Sequence, residues 1–430
     1  MVKIGFYINN ENISNVDCSS IVDGNPGIGG TEYLFYLTAY LFKKTYKEEF
    51  DVRMLVTTRC IIPTDMPFEV VKDKKSAIIQ AINKDFDVLV VKYEEIDFTQ
   101  GVYDNEASKV KIVIWAHNFI PNHILRKISK YKSISCVVNV GREQLDLYRD
   151  SKAFLKSTFI YNGLDIMPKE YYIEHSIPFD KRKNEVTYLG SLIPIKGFHL
   201  LAEAWPKIIE EVPDAHLNVI GSGKVYNEKA KLGKYGLADE EYENVFMKYL
   251  TDSKGNVLPS VTFYGNMGKE KYTILGRTKV GVPNPSGDSE TFCLSAVEME
   301  LFQCRIVTKK YVGFLDTVPK SAGILYEDLK YLTDYIIKEL KCHEYKDYYI
   351  THQYIYDNFS LTVVLNQWRQ LFLNLNKGDI KEHEQFISNI NYNNKKIREY
   401  NRLIKSVLPF GYLLPTLDTY NYIKKRILGR

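Results

Sequence analysis

An α/β protein of two successive Rossmann-like domains followed by a polar, basic tail is what the sequence predicts, and three observations predict it. The chain has 430 residues, enough for two or three domains at about 100–200 residues each. Short β-branched runs alternate with helical stretches from the first residues onward, the pattern of a parallel sheet covered on both faces. That alternation ends near residue 165, passes through a polar connector, and begins again at Glu185.

In the first half, Lys3–Ile8, Val52–Thr57, Val88–Val91, Lys111–Trp115 and Cys136–Val140 read as buried strands. Glu32–Lys44 and Ser76–Asn83 read as helices between them. Asn162-Gly163 marks a turn, so the first domain is placed at 1–166 and a linker rich in Lys and Glu at 167–184. The second domain, 185–353, opens with strand Glu185–Leu189 and the amphipathic helix His199–Glu211. Strand His216–Ile220 follows, closed by Gly221-Ser222-Gly223. A polar insertion of about 37 residues precedes strands Ser260–Tyr264, Lys279–Val282 and Ile306–Thr308. A helix is expected over Glu290–Phe302, one terminal helix over 354–376, and a polar, then basic extension over 377–430.

Composition narrows the function. Hydrophobic residues make up 45% and charged residues 26%, the balance of a soluble globular chain. The net charge of +4 argues against a nucleic-acid partner, although residues 391–430 carry nine Lys/Arg against two acids. The six cysteines are scattered, with no CxxC pair and no Cys/His cluster, so neither a disulfide framework nor a zinc site is expected. The N-terminus reads as a strand rather than a signal peptide. The longest apolar run, Tyr33–Phe42, is ten residues, about half of a membrane span. The expected location is therefore the cytoplasm, or the inner face of the cell membrane.

Four segments of the second half occur in an order that resembles the retaining glycosyltransferases of family four, the glycosyl transferases group 1. "VTYLGSLIPIKGFHLLAEAWPKI" (186–208) is similar to that family's strand–glycine–loop–lysine–glycine–helix element. "LNVIGSG" (217–223) and "VTFYGN" (261–266) resemble its next two strands. "PNPSGDSETFCLSAVEMELFQC" (283–304) resembles its Glu-x7-Glu signature, with Glu290 and Glu298. "GIGGTE" (27–32), "IWAHN" (114–118) and "IYNGLD" (160–165) agree more weakly. The resemblance covers roughly residues 1–375 and implies a GT-B fold, two facing Rossmann-like domains with a cleft between them.

The same resemblance implies the site. Glu290 is expected at the mouth of a helix, with Glu298 about 12 Å further along it at ~1.5 Å per residue. The amides of Thr291, Phe292 and Cys293 would then be unpaired donors at a helix N-terminus, suited to a diphosphate. Glu290 would accept from donor-sugar hydroxyls and Glu298 from ribose hydroxyls. Lys196 would place positive charge beside the departing β-phosphate. Gly29 and Gly30 would let backbone approach the donor closely. His117, at the carboxyl edge of a strand, would contact the sugar or the acceptor; Asn118, Asn139 and Arg142 also follow strand ends. The chain departs from the family at Ser191, where an arginine is usual, and at Cys293, where a glycine is common. The Asp85-Phe86-Asp87 triplet precedes a strand instead of following one and reads as a solvated strand entrance, not a metal site.

The function so implied is a metal-independent, retaining hexosyltransferase without a cofactor. It would move a sugar from an NDP-sugar to a hydroxyl of a glycan or lipid-linked acceptor, in bacterial cell-surface polysaccharide synthesis. The alternatives are a sugar-nucleotide epimerase of the same fold and a catalytically silent glycan- or nucleotide-binding partner, the latter kept open by Ser191. In the tail, residues 395–430 interleave basic with aliphatic and aromatic residues, which suits an anionic membrane surface. A pair of helices packed on the body of the protein, with a solvated basic face, is the other reading of that segment.

Overall fold

A computed structural model describes residues 1–94, 110–223, 231–377, 387 and 389–428, without the side chains of Tyr412, Lys425 and Leu428. The last basic residue of the tail, Arg430, lies outside the described residues. The chain divides into two units: residues 1–21, 31–162 and 364–430 form the first, and 22–30 with 163–363 the second.

The first unit is built on a seven-stranded parallel sheet. Its strands are β1 (Val2–Ile8), β2 (Phe50–Val56), β3 (Phe68–Val70), β4 (Val88–Val91), β5 (Lys111–Ala116), β6 (Ile134–Asn139) and β7 (Ser157–Phe159). Their order is β3-β2-β1-β4-β5-β6-β7. The central strands are continuous runs such as Val88–Val91, buried at every residue, because helices cover both faces. The edge strands β3 and β7 were not legible: each has three residues, too few to show a pattern. Asp87, in the triplet declined as a metal motif, accepts from the Lys3 amide (2.8 Å) and anchors the start of β1.

The second unit repeats the architecture with six parallel strands, β8 (Glu185–Leu189), β9 (His216–Ile220), β10 (Val261–Gly265), β11 (Val280–Gly281), β12 (Arg305–Lys309) and β13 (Gly323–Tyr326), in the order β10-β9-β8-β11-β12-β13. Its core gathers Val186, Tyr188, Phe198, Trp205 and Phe246, all at most 1% exposed. Within the insertion read as merely polar, Glu240–Leu250 forms a helix capped by Asp239, which accepts from the Glu241 amide. The buried Glu243 carboxylate accepts from the amides of Tyr235, Leu237 and Ala238.

The terminal helix read over 354–376 is two helices, Tyr348–Phe359 and Leu361–Lys377, separated by an extended Ser360. The break has a local cause: Leu164 donates its amide to the Phe359 carbonyl and accepts from the Leu361 amide, so a β-bridge replaces one helical turn. From Val364 on, the second helix belongs to the first unit. Its Trp368 and Phe372 pack against Trp115 (4.9 Å) and Phe42 (5.3 Å). No described helix is long and apolar enough to cross a membrane.

Candidate functional site

Strand order in the second sheet changes direction between β8 and β11, and open α/β sheets place ligands at the carboxyl ends flanking such a point. There β8 runs into Gly190–Gly197 and β11 into 282–293, the two loops that hold most of the sequence candidates.

The loops touch through a glycine. Lys196 ends the short turn Pro194–Lys196, and Gly197 follows with φ +68°. A Cβ at Gly197 would stand 2.6 Å from the Ser286 amide nitrogen, so only glycine permits the approach. Ser286 Oγ donates to the Ile195 carbonyl (2.6 Å) and accepts from the Asp288 amide (3.1 Å), fastening the loops together. Gly221 is under a comparable constraint: its φ is +140°, and a Cβ there would overlap the Gly190 carbonyl.

This contact brings Lys196 to Glu290. Lys196 Nζ lies 2.8 Å from Glu290 Oε2, and Asn284 Nδ2 donates to the same oxygen, also at 2.8 Å. Among the described residues, the hydrogen bonds to this carboxylate all fall on Oε2. Gly313 donates its amide to the Glu290 carbonyl (3.1 Å), and its lack of a side chain lets it pack beneath the Thr291–Phe292 backbone. Phe292 is buried edge-on against Phe359.

The helix expected from Glu290 begins four residues later, spanning Leu294–Leu301 with Cys293 as its cap. Glu290–Cys293 approaches it in non-helical backbone, held there by Gly313 and by the burial of Phe292. The first-turn amides are therefore those from Leu294 onward, not those of Thr291, Phe292 and Cys293. Glu298 lies in the second turn and pairs with Lys271 (2.7 Å). Cys293 is buried, and burial pushes its thiol well above the usual range, so it stays protonated. Ser191, almost fully buried, accepts from the Tyr188 hydroxyl through its carbonyl (2.9 Å).

Gly29, just ahead of helix Gly30–Thr45, and Gly30, its first residue, lie in segment 22–30, which clusters with this unit. Asn25 shapes the loop by accepting from the amides of Gly27 and Ile28. A Cβ at Gly30 would meet Leu294 at 3.9 Å, beside the start of helix Leu294–Leu301. The second unit thus holds Gly29, Gly30, Ser191, Lys196, Glu290, Thr291, Phe292, Cys293 and Glu298.

His117 belongs to the first unit, just past β5. Its ring lies among Trp115 (4.5 Å) and Phe35 (5.8 Å), and burial, with a smaller contribution from Lys92, lowers its pKa to about 3. The imidazole is neutral at physiological pH. Nearby, Asn118 donates to Glu94 (2.8 Å), and Gln144 donates to the carbonyls of Ala116 and Asn118.

Sequence reasoning missed Asn284 and Lys271. The first had a signal, because an asparagine between Pro283 and Pro285 marks a tight turn, and its φ is +39°. Lys271 had none; only the fold brings it to Glu298. Among the described residues, no three His, Cys, Asp or Glu side chains converge as a metal site would require.

The glycosyl transferases group 1 family matches residues 183–341. An uncharacterized glycosyltransferase of Haemophilus influenzae is 24% identical over 132 residues, 29% of this chain. The chain spans about a third of the length of that curated relative, 35%. Among solved structures, a glycosyltransferase from Rickettsia africae superposes with a TM-score of 0.64 at 12% identity, covering 87% of this chain and 98% of that one. Sucrose-phosphate synthase from Thermosynechococcus elongatus gives 0.62 at 14%, covering 88% and 100%. Anabaena Alr3699/HepE in complex with UDP-glucose gives 0.58 at 14%, covering 87% and 100%. The chain has the GT-B fold of these proteins, and its residues 183–341 match the glycosyl transferases group 1 family.

Proposed function

We propose that this protein is a retaining glycosyltransferase. It transfers a hexosyl group from a nucleoside-diphosphate sugar to a hydroxyl of a glycan or lipid-linked glycan, without a metal ion. The observation that carries this reading is the Lys196–Glu290 pair at the strand-order switch, immediately ahead of helix Leu294–Leu301. The first-turn amides of a helix lack intrahelical partners and favour an anion, which suits the diphosphate. Lys196 adds a mobile positive charge where the β-phosphate leaves. Lys271, held by Glu298, supplies further cationic charge in a unit whose position 191 is serine. The bond between the sugar's anomeric carbon and the phosphate oxygen breaks, with its electron pair leaving on the diphosphate. The acceptor oxygen bonds to that carbon from the same face, and its proton passes to the departing phosphate.

A structural neighbour is described with UDP-glucose and another, starch synthase IV of Arabidopsis thaliana, with ADP and acarbose, so the base is the first quantity to measure. A thermal-shift panel of nucleoside diphosphates tests it: a ligand at ~100 times its dissociation constant stabilises by about 2.7 kcal/mol. Transfer from the matching sugar nucleotide, dependent on added acceptor, is the expected result. Acceptor-independent conversion of the donor would indicate an epimerase. Binding with neither hydrolysis nor transfer would indicate a silent binding partner, the alternative that Ser191 keeps open.

A further inference from the structure

The helix Lys395–Val407 lies on the first unit with its charged side inward. Lys395, Arg398 and Lys405 are buried; with Arg402 they recur at the three- and four-residue spacing of one helical face. Lys395 pairs with Glu143 and Asp146, two carboxylates no more than 1% exposed. Arg398 reaches Asp418 (2.5 Å) and Asp150 (3.6 Å), and Lys405 donates to the Asp150 carbonyl (2.9 Å). Arg402 pairs with Glu399 and lies over the Phe154 ring.

The opposite face is apolar and open to solvent. Ile397 is 54% exposed, Tyr400 63%, Ile404 50% and Val407 81%, and Phe410 continues the stripe at 70%. An amphipathic helix laid on a domain normally buries that stripe and hydrates its cations. Here the acidic patch of Glu143, Asp146 and Asp150 captures the cations instead. The cations expected to face a membrane from this helix therefore face the protein, and hydrophobic side chains face outward.

We propose that this outward face docks on the surface of an anionic lipid bilayer. Charge identifies the occupant. The two acids of residues 391–428, Glu399 and Asp418, are both engaged by arginines. Among the described residues, the exposed charges of this segment without an acidic partner of their own, Lys396, Lys424 and Arg426, are cationic, and the half-exposed Asp418 is neutralised by Arg398. Exposed Arg126, close enough to Lys405 to disfavour its charge, adds to them from helix Asn122–Ile128, which Asn122 ties to Thr416 (2.7 Å). Exposed Tyr420 and Tyr422 supply the amphipathic rings that settle at headgroup level. An apolar stripe flanked by cations is the composition of an interfacial segment beside anionic headgroups. A second copy of the chain would bring identical cations face to face across a two-fold axis.

The inference is independent of the chemistry proposed above, and its test needs no activity. The full-length protein should co-sediment at low salt with vesicles containing phosphatidylglycerol, and at least about tenfold less with phosphatidylcholine alone. The double variant Ile404→Asp/Val407→Asp should bind the anionic vesicles at least about tenfold more weakly. Because both side chains are exposed, its melting temperature should stay within about 1 °C of the parent's. Absence of binding by the parent, or equal binding by the variant, would overturn the proposal. So would a dimer, seen by light scattering, that ignores vesicles and is split by the double substitution.

Discussion

Lys196 Nζ stands 2.8 Å from Glu290 Oε2 although 94 residues separate them in the chain, and the two loops that carry them meet at a glycine. Asn284 holds the same carboxylate oxygen from the other side of the turn. The arrangement fixes a carboxylate and an ammonium at the sheet's switch point before any ligand arrives.

Substitution of either member should strike turnover harder than folding. Glu290→Gln and Lys196→Ala are each expected to lower the initial rate of sugar transfer by about 10²–10³-fold, the range for removing a group that stabilises developing charge. Melting temperatures should change little, since Asn284 still holds position 290. Rates within a factor of two or so of the parent would dissociate this pair from the chemistry.

Gly197→Ala should destabilise the second unit by about 1–3 kcal/mol, because alanine meets both a left-handed backbone and the Ser286 amide. Gly30→Ala is the comparison: its added methyl makes only ordinary contact with Leu294. Thermal unfolding should separate them by several degrees, and identical curves would refute the steric account of the Lys196 loop.

The neutral, buried His117 ties stability to pH. Its pKa falls from 6.5 unfolded to about 3 folded, so between those values the unfolded chain binds more protons. Its contribution is complete above pH 6.5 and is lost as pH falls through this window. A His117→Gln variant has no such proton to take up. Its deficit in melting temperature against the parent should therefore shrink from pH 7.5 to pH 4.5; a constant deficit would show that the imidazole is not held neutral.

Glu300 carries the opposite sign. It is fully buried on helix Leu294–Leu301, neither carboxyl oxygen has a hydrogen-bond partner among the described residues, and burial raises its pKa well above 4.5 despite the opposing charge of Arg305. A carboxyl raised in the folded state loses stability as pH climbs above its unfolded value. Glu300→Met removes a buried polar group whose burden is about 1–3 kcal/mol and should raise the melting temperature by at least about 2 °C. The gain should be larger at pH 8 than at pH 5, and a variant that melts lower at both would show that Glu300 has a partner in solution.

The central strands were legible because a parallel strand buried on two faces is mostly apolar and β-branched, and Val88–Val91 can be little else. Glu290, Lys196 and the glycines were legible because their order along the chain resembles a family's. Their local geometry was not. The helix that should have begun at Glu290 begins at Leu294, because Gly313, more than twenty residues away in sequence, packs under the intervening backbone.

The sequence by itself determined where strands and helices alternate, that there are two such series, and which residues carry charge and apolar surface. Only the tertiary structure decided which of those surfaces meet. The periodicity of Lys395–Val407 shows two faces but not which one turns inward. Three acids of segment 143–150, Glu143, Asp146 and Asp150, drew the cations in and left Ile397, Ile404 and Val407 facing out. Hydrophobic burial has no direction of its own, whereas a buried ammonium must find a carboxylate, and where that carboxylate stands is a property of the fold.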